Sequence, residues 1–156
     1  MVSNRKKLYI IALALLVVLV TAFIFSNSFY DQEESLEISD RVTNVIVGNK
    51  GNDNNAADLV VRKLAHLVEF MALGIAVMFL TMFIKEWKGK SYYGYALFYV
   101  LAVAVADEHI QSFSDRLSST EDIILDFIGA IIGLILGVLI IMVFQALLKH
   151  RIKAVK

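Results

Sequence analysis

Four stretches of the chain are almost free of charge, and their lengths set the architecture. Leu8 to Phe25 carries no charge and follows Arg5, Lys6 and Lys7. Leu64 to Ile84 is apolar except at His66, Glu69 and Thr81. Ser91 to Ala106 is the shortest of the four, rich in Tyr, Phe, Val and Ala. It reaches a spanning length when the helix continues toward Gln111. Ile123 to Leu148 is the longest, with Asp126 near its start and Gln145 near its end. A helix needs about 20 mostly apolar residues to cross a bilayer. The pattern predicts an all-α integral membrane fold: one domain over 1–156, a bundle of four transmembrane helices near 8–25, 62–84, 91–110 and 123–148.

The segment 26–60 between the first two spans is predicted to lie outside the cytoplasm. Within it, Glu33 to Val47 places Leu36, Val42, Val45 and Ile46 at mixed helical spacings, which suits a short helix on the membrane surface. Gly48 to Asn55 is polar and turn-rich, and reads as a linker. Ser26-Asn27-Ser28 has the small-x-small form of a signal cleavage site. The apolar stretch before it exceeds a usual signal core, which favours a retained anchor.

Charge supplies the orientation. Residues 1–7, 85–90 and 149–156 hold ten of the fifteen Lys and Arg residues against Glu86 alone. Arg41, Lys50, Arg62, Lys63 and Arg116 lie elsewhere, among the other fourteen carboxylates. Cations collect on the cytoplasmic side of a membrane, so both termini are expected inside. Tyr92, Tyr93 and Tyr95 suit an interfacial aromatic belt.

Composition then removes whole classes of function. Hydrophobic residues make up 58% and charged residues 19%, with a mean hydropathy of +0.69, too apolar for an ordinary soluble domain. Without Cys there is no disulfide, thiolate chemistry or cysteine lipidation. Without Pro no helix is kinked by one. No basic arm or finger spacing points to nucleic acid.

The polar residues inside the spans carry the functional signal. On a helix Arg62, His66, Glu69 and Leu73 share a face, and Lys63 lies about one turn from His66. Asp107 and Gln111 are one turn apart, and Glu108 is near Gln111. Both stripes face the bundle if the helix end is loosely wound. Asp122 and Asp126 are one turn apart at the head of the last span. A carboxylate within the membrane costs on the order of 2–3 kcal/mol against lipid, so these groups should face protein, water or a cation. With the predicted topology they share the outer half of the membrane and can meet in one polar pocket open to the outside.

These residues carry a resemblance to the VanZ-like family, covering roughly residues 10–145. Phe25-Ser26 followed by Ser35-x-x-x-Ser39 resembles its serine pattern after the first span. Lys63-x-x-His66-x-x-Glu69-Phe70-x-x-Leu73-Gly74 resembles its second-span motif. Asp107-Glu108-x-x-Gln111-x-Phe113 with Arg116 resembles its third span and following turn. Asp122-x-x-x-Asp126-x-x-Gly129-x-x-x-Gly133 resembles its fourth span, where Asn is common at the position of Asp126. An ionised Asp accepts hydrogen bonds and cannot donate them. The resemblance implies a small bacterial membrane protein of the cell envelope, linked to resistance against glycopeptides such as teicoplanin.

Roles can be assigned as expectations. His66 moves a proton or orients a ligand, with Glu108 as its carboxylate partner. Arg116 and Lys63 hold an anion such as a lipid phosphate. Glu69, Asp107, Gln111, Asp122 and Asp126 complete the binding set. The expected ligand is an anionic membrane lipid or lipid-linked wall precursor. Arg116 pairing with Asp122 is an equal alternative to the clamp, and Ser119-Thr120-Glu121-Asp122 also reads as a helix capping box. No cofactor is expected. His66, Glu69, Asp107, Glu108 and His109 include possible metal ligands, but no H-E-x-x-H spacing supports a metal site, and none is expected. Serines 26, 35 and 39 lack a nucleophile-elbow context. Gly129, Gly133 and Gly137 let another helix approach closely, within the chain or in a homodimer. Two other readings remain, a membrane-embedded hydrolase or transferase acting on phosphate or acyl groups and a structural or partner-binding membrane protein, with a transporter behind them because four helices are few and no discontinuous helix is signalled.

Overall fold

A computed structural model describes residues 2–29, 54–113 and 119–154. Four helices occupy them: α1 (Val2–Ser28), α2 (Asn54–Lys88), α3 (Tyr93–Gln111) and α4 (Thr120–Ala154). No strand occurs among the described residues. Three helices, α1, α2 and α4, are long and apolar enough to cross a membrane. α3 has 19 residues and carries Asp107, Glu108 and His109 in its last turns. The expected surface helix over Glu33 to Val47 lies outside the described residues, as do Ser35, Ser39 and Arg116.

The helices outrun the apolar stretches that predict them. α2 and α4 have 35 residues each, roughly 52 Å at the usual rise. Helix hydrogen bonding has no reason to stop where the apolar run stops, and no proline interrupts the flanks. α2 stops at Gly89, which takes φ +68° while its N–H bonds the Lys85 carbonyl at 2.7 Å. A left-handed residue after the last helical one is a common terminator, and glycine adopts it without a Cβ penalty.

α2 and α4 form the closest pair, and small residues let them approach. A Cβ on Gly129 would stand 2.6 Å from the Leu67 carbonyl oxygen. On Gly133 it would collide with the Met71 backbone, and on Gly74 with the Ala130 carbonyl. The Gly129, Gly133, Gly137 stripe is thus pressed onto α2 within the chain. α1 and α3 pack beside this pair and against each other, where Thr21 and Tyr99 share a hydrogen bond of 2.9 Å. α1 also buries Val17, Ile24 and Ser28 in the bundle.

Each inner stripe is apolar for most of its length and polar at one end. α3 buries Ala96, Val100, Val103 and Ala104, and the same face continues to Asp107 and Gln111. In α4, Asp126 continues the stripe of Ala130, Gly133 and Leu134. In α2, His66 stands one turn before the buried Phe70 and two turns before the buried Leu73. These polar ends lie together. Chain alternation places the Lys-rich helix ends at the opposite pole, where Tyr9 of α1 meets Phe83 of α2 at 6.4 Å and Lys85 bonds Tyr93 at 3.0 Å.

Candidate functional site

The polar cluster is assembled by all four helices. Asp107, fully buried on α3, is its centre. Ser28 Oγ at the end of α1 donates to Asp107 Oδ1 at 2.5 Å, and Gln111 Nε2, one turn along α3, donates to Oδ2 at 2.7 Å. Hydrogen bonds to a carboxylate are stronger than neutral ones, which offsets part of its desolvation. His66 Nδ1 on α2 lies 3.8 Å from Asp107 Oδ2 and 4.0 Å from Asp126 Oδ1 on α4. One imidazole thus faces two carboxylates from two other helices. Asp126 is 1% exposed, and its Oδ2 is buried with no hydrogen-bond partner among the described residues.

Glu108, the expected partner of His66, points toward the start of α4. Its Oε1 accepts the backbone N–H of Ser119 at 2.5 Å, and Oε2 is buried without a hydrogen-bond partner among the described residues. α3 remains helical through Gln111, so Asp107 and Glu108 are both buried without a loosened helix end. Neighbouring helical positions point in different directions, and here one meets the bundle and the other the segment entering α4.

That contact also changes the expected cap. Ser119 Oγ accepts the Glu121 N–H at 3.2 Å, as an N-cap does. The reciprocal half of a capping box would bring Asp122 back to the Ser119 N–H. Glu108 occupies that donor, and Asp122 Oδ1 instead pairs with Lys63 Nζ at 3.0 Å.

Arg62, Lys63, His66, Gln111, Asp122 and Asp126 line a small cavity of about 10 Å³. That is room for about one water or one bare ion, and too little for a lipid headgroup. Arg62 and Lys63 are half-buried at this cavity. Glu69 is turned elsewhere: it accepts a hydrogen bond from Asn27 of α1 at 2.8 Å and lines an apolar groove with Leu19, Phe23 and Val68. His109 is exposed and packs edge-on against Phe113 at 5.0 Å.

The structure therefore brings together His66, Asp107, Gln111 and Asp126, with Lys63 and Asp122 beside them. It sets Glu69 and Glu108 at the margins. Ser28 and Asn27 are participants that the sequence presents only as part of a cleavage pattern. Their signal is their position: polar residues ending an apolar span at the level where the other spans turn polar.

The VanZ/LLP1 family model matches residues 10–145, most of the chain. The chain belongs to the VanZ/LLP1 family. This makes it a membrane protein of a family linked to glycopeptide resistance. No curated protein and no solved structure matches it. The VanZ/LLP1 match takes in part of every helix that contributes to the polar cluster, Ser28, His66, Asp107, Gln111 and Asp126 among its residues.

Chemically, the cluster offers a histidine between two carboxylates, an unpartnered carboxylate oxygen, and cations at the mouth of a one-water cavity. Such a set can hold a cation or pass a proton, while among the described residues an anion would fit beside Arg62 and Lys63.

Proposed function

We propose that this protein works from the outer face of the bacterial cytoplasmic membrane. In this reading all four helices span, both termini are cytoplasmic, and the cluster around Asp107 opens outward. An anionic envelope lipid or lipid-linked wall precursor sits with its phosphate at the mouth of the cavity, and its capture alters glycopeptide access to the wall. The observation that carries the reading is the placing of Lys63 and Arg62 at the rim of a cavity floored by His66 and Asp126. The cation-rich 85–90 and 149–156 segments support the orientation. Lys63 contributes a point charge and Arg62 a planar fork for phosphate oxygens. Arg116 is proposed as a further clamp. His66, Gln111 and Asp122 order the cavity, Glu108 holds the entry to α4 through the Ser119 N–H, and Glu69 fixes α1 through Asn27.

The test is expression in a glycopeptide-sensitive bacterium, with teicoplanin susceptibility and native mass spectrometry of co-purified lipid. Lys63→Ala with Arg62→Ala, Arg116→Ala and His66→Gln are expected to lose both resistance and bound lipid. Normally inserted variants that keep both would contradict the reading.

His66 between two carboxylates also favours a second reading, a hydrolase or transferase acting on lipid phosphate or acyl groups. Turnover of a labelled envelope lipid by purified protein, abolished by His66→Gln, distinguishes it from capture alone.

A further inference from the structure

We propose that His66, Asp107 and Asp126 form a site for one divalent transition-metal ion of the zinc or manganese type. One ligating atom from each residue lies within 4.8 Å of the other two. Ligands held about 2.1 Å from a tetrahedral ion stand about 3.4 Å from one another. His66 Nδ1 already lies 3.8 Å from Asp107 Oδ2 and 4.0 Å from Asp126 Oδ1, and closure of the widest pair by at most about 1.4 Å, within the reach of rotamer adjustments, completes the site.

A second observation points to a ligand. The Asp126 side chain is buried, and its Oδ2 has no hydrogen-bond partner among the described residues. A buried carboxylate oxygen without a partner is costly, and native structures usually supply one. The same carboxylate faces His66 through Oδ1 at 4.0 Å, and a cation between the three side chains would bind it and offset its buried charge.

The surroundings suit an ion. Ser28 and Gln111 donate to Asp107 and hold its carboxylate in one orientation, the service that outer-shell groups give to metal ligands. The cavity beside His66, Gln111 and Asp126 leaves space for about one water, as an open coordination position requires.

Ligand chemistry selects the ion. Mg²⁺ and Ca²⁺ take oxygen ligands almost exclusively. One imidazole nitrogen with two carboxylates suits zinc or manganese better. Because the ligands come from three helices, no local spacing in the sequence could reveal them.

Protein purified in detergent, stripped with EDTA, loaded with ZnCl₂ or MnCl₂ and desalted should retain about one equivalent of metal by mass spectrometry. Asp126→Asn and His66→Gln should each retain less than about a tenth of that. In the Mn²⁺-loaded unmodified protein, pulsed EPR should show coupling to one imidazole nitrogen. This last readout decides the matter if the variants fail to fold. Loaded protein that keeps no metal, a spectrum without nitrogen coupling, or folded variants with full metal content would each overturn the site. The measurement uses no lipid, so its failure leaves lipid capture standing, and loss of lipid capture leaves the metal result standing.

Discussion

At one pole of the bundle Asp107 is fully buried and receives hydrogen bonds from Ser28 and Gln111, while Lys63 of α2 reaches Asp122 of α4. At the other pole Lys85 and Tyr93 meet in an exposed contact, Lys88 lies 5.5 Å from the Trp87 ring, and a cleft of about 800 Å³ opens between the ends of α2 and α4, bordered by Phe79, Phe83, Ile140 and Phe144. Both poles are charged, yet they use charge differently. The acidic pole buries it and links helices distant in the chain. The basic pole leaves it exposed, where a charge fixes orientation in a membrane and costs the fold little. A polar group taken out of solvent must find specific partners, so the acidic pole sets the rotation and register of four helices. That is also why the proposed function is placed there.

The contrast can be broken most strongly at the glycines. Gly133→Ile drives a side chain into the Met71 backbone and should cost on the order of 3 kcal/mol or more, seen as loss of monodisperse folded protein. Gly94, near the basic pole, has nothing within 4 Å of its added Cβ. Gly94→Ala should be neutral or stabilise α3 by up to about 1 kcal/mol in thermal unfolding.

Smaller effects sharpen it. Ser28→Ala removes a donor from buried Asp107 and should destabilise by about 1–3 kcal/mol, with Ser28→Thr restoring part of the loss. Tyr93→Phe at the basic pole removes an exposed hydrogen bond and should shift stability by under about 0.5 kcal/mol. The Lys63–Asp122 pair lies between these cases, with side chains 39% and 26% exposed. Lys63→Met should cost at most about 1 kcal/mol of stability. A much larger loss would make Lys63 a structural residue and weaken its assignment to an anion.

The helices are legible in the sequence because apolar length is a property of each segment alone. Leu8 to Phe25, Leu64 to Ile84 and Ile123 to Leu148 need no knowledge of their neighbours. The same holds for His66 and Asp126 as inward-facing residues, since each continues an apolar stripe on its own helix. Pairing is not legible. Whether His66 meets Glu108 or Asp107 depends on how α3 is rotated against α2, and periodicity leaves that angle open. The capping box fails for a similar reason: Ser119 and Asp122 have the right spacing, but Glu108 arrives from another helix and takes the donor. Asn27 and Ser28 escape notice because one polar tripeptide after an apolar run suits both a cleavage site and a helix end. Arg116 and the expected helix over Glu33 to Val47 fall outside the described residues.

The central claim is that the buried polar pole faces the outside of the cell. The chain has no cysteine, so single-cysteine variants report without background. Glu121→Cys at the polar pole and Lys90→Cys at the basic pole both replace exposed residues. In intact cells a membrane-impermeant maleimide should label position 121 at once and position 90 only after permeabilisation. Labelling of position 90 in intact cells, with position 121 protected, would place the pocket in the cytosol and contradict the account.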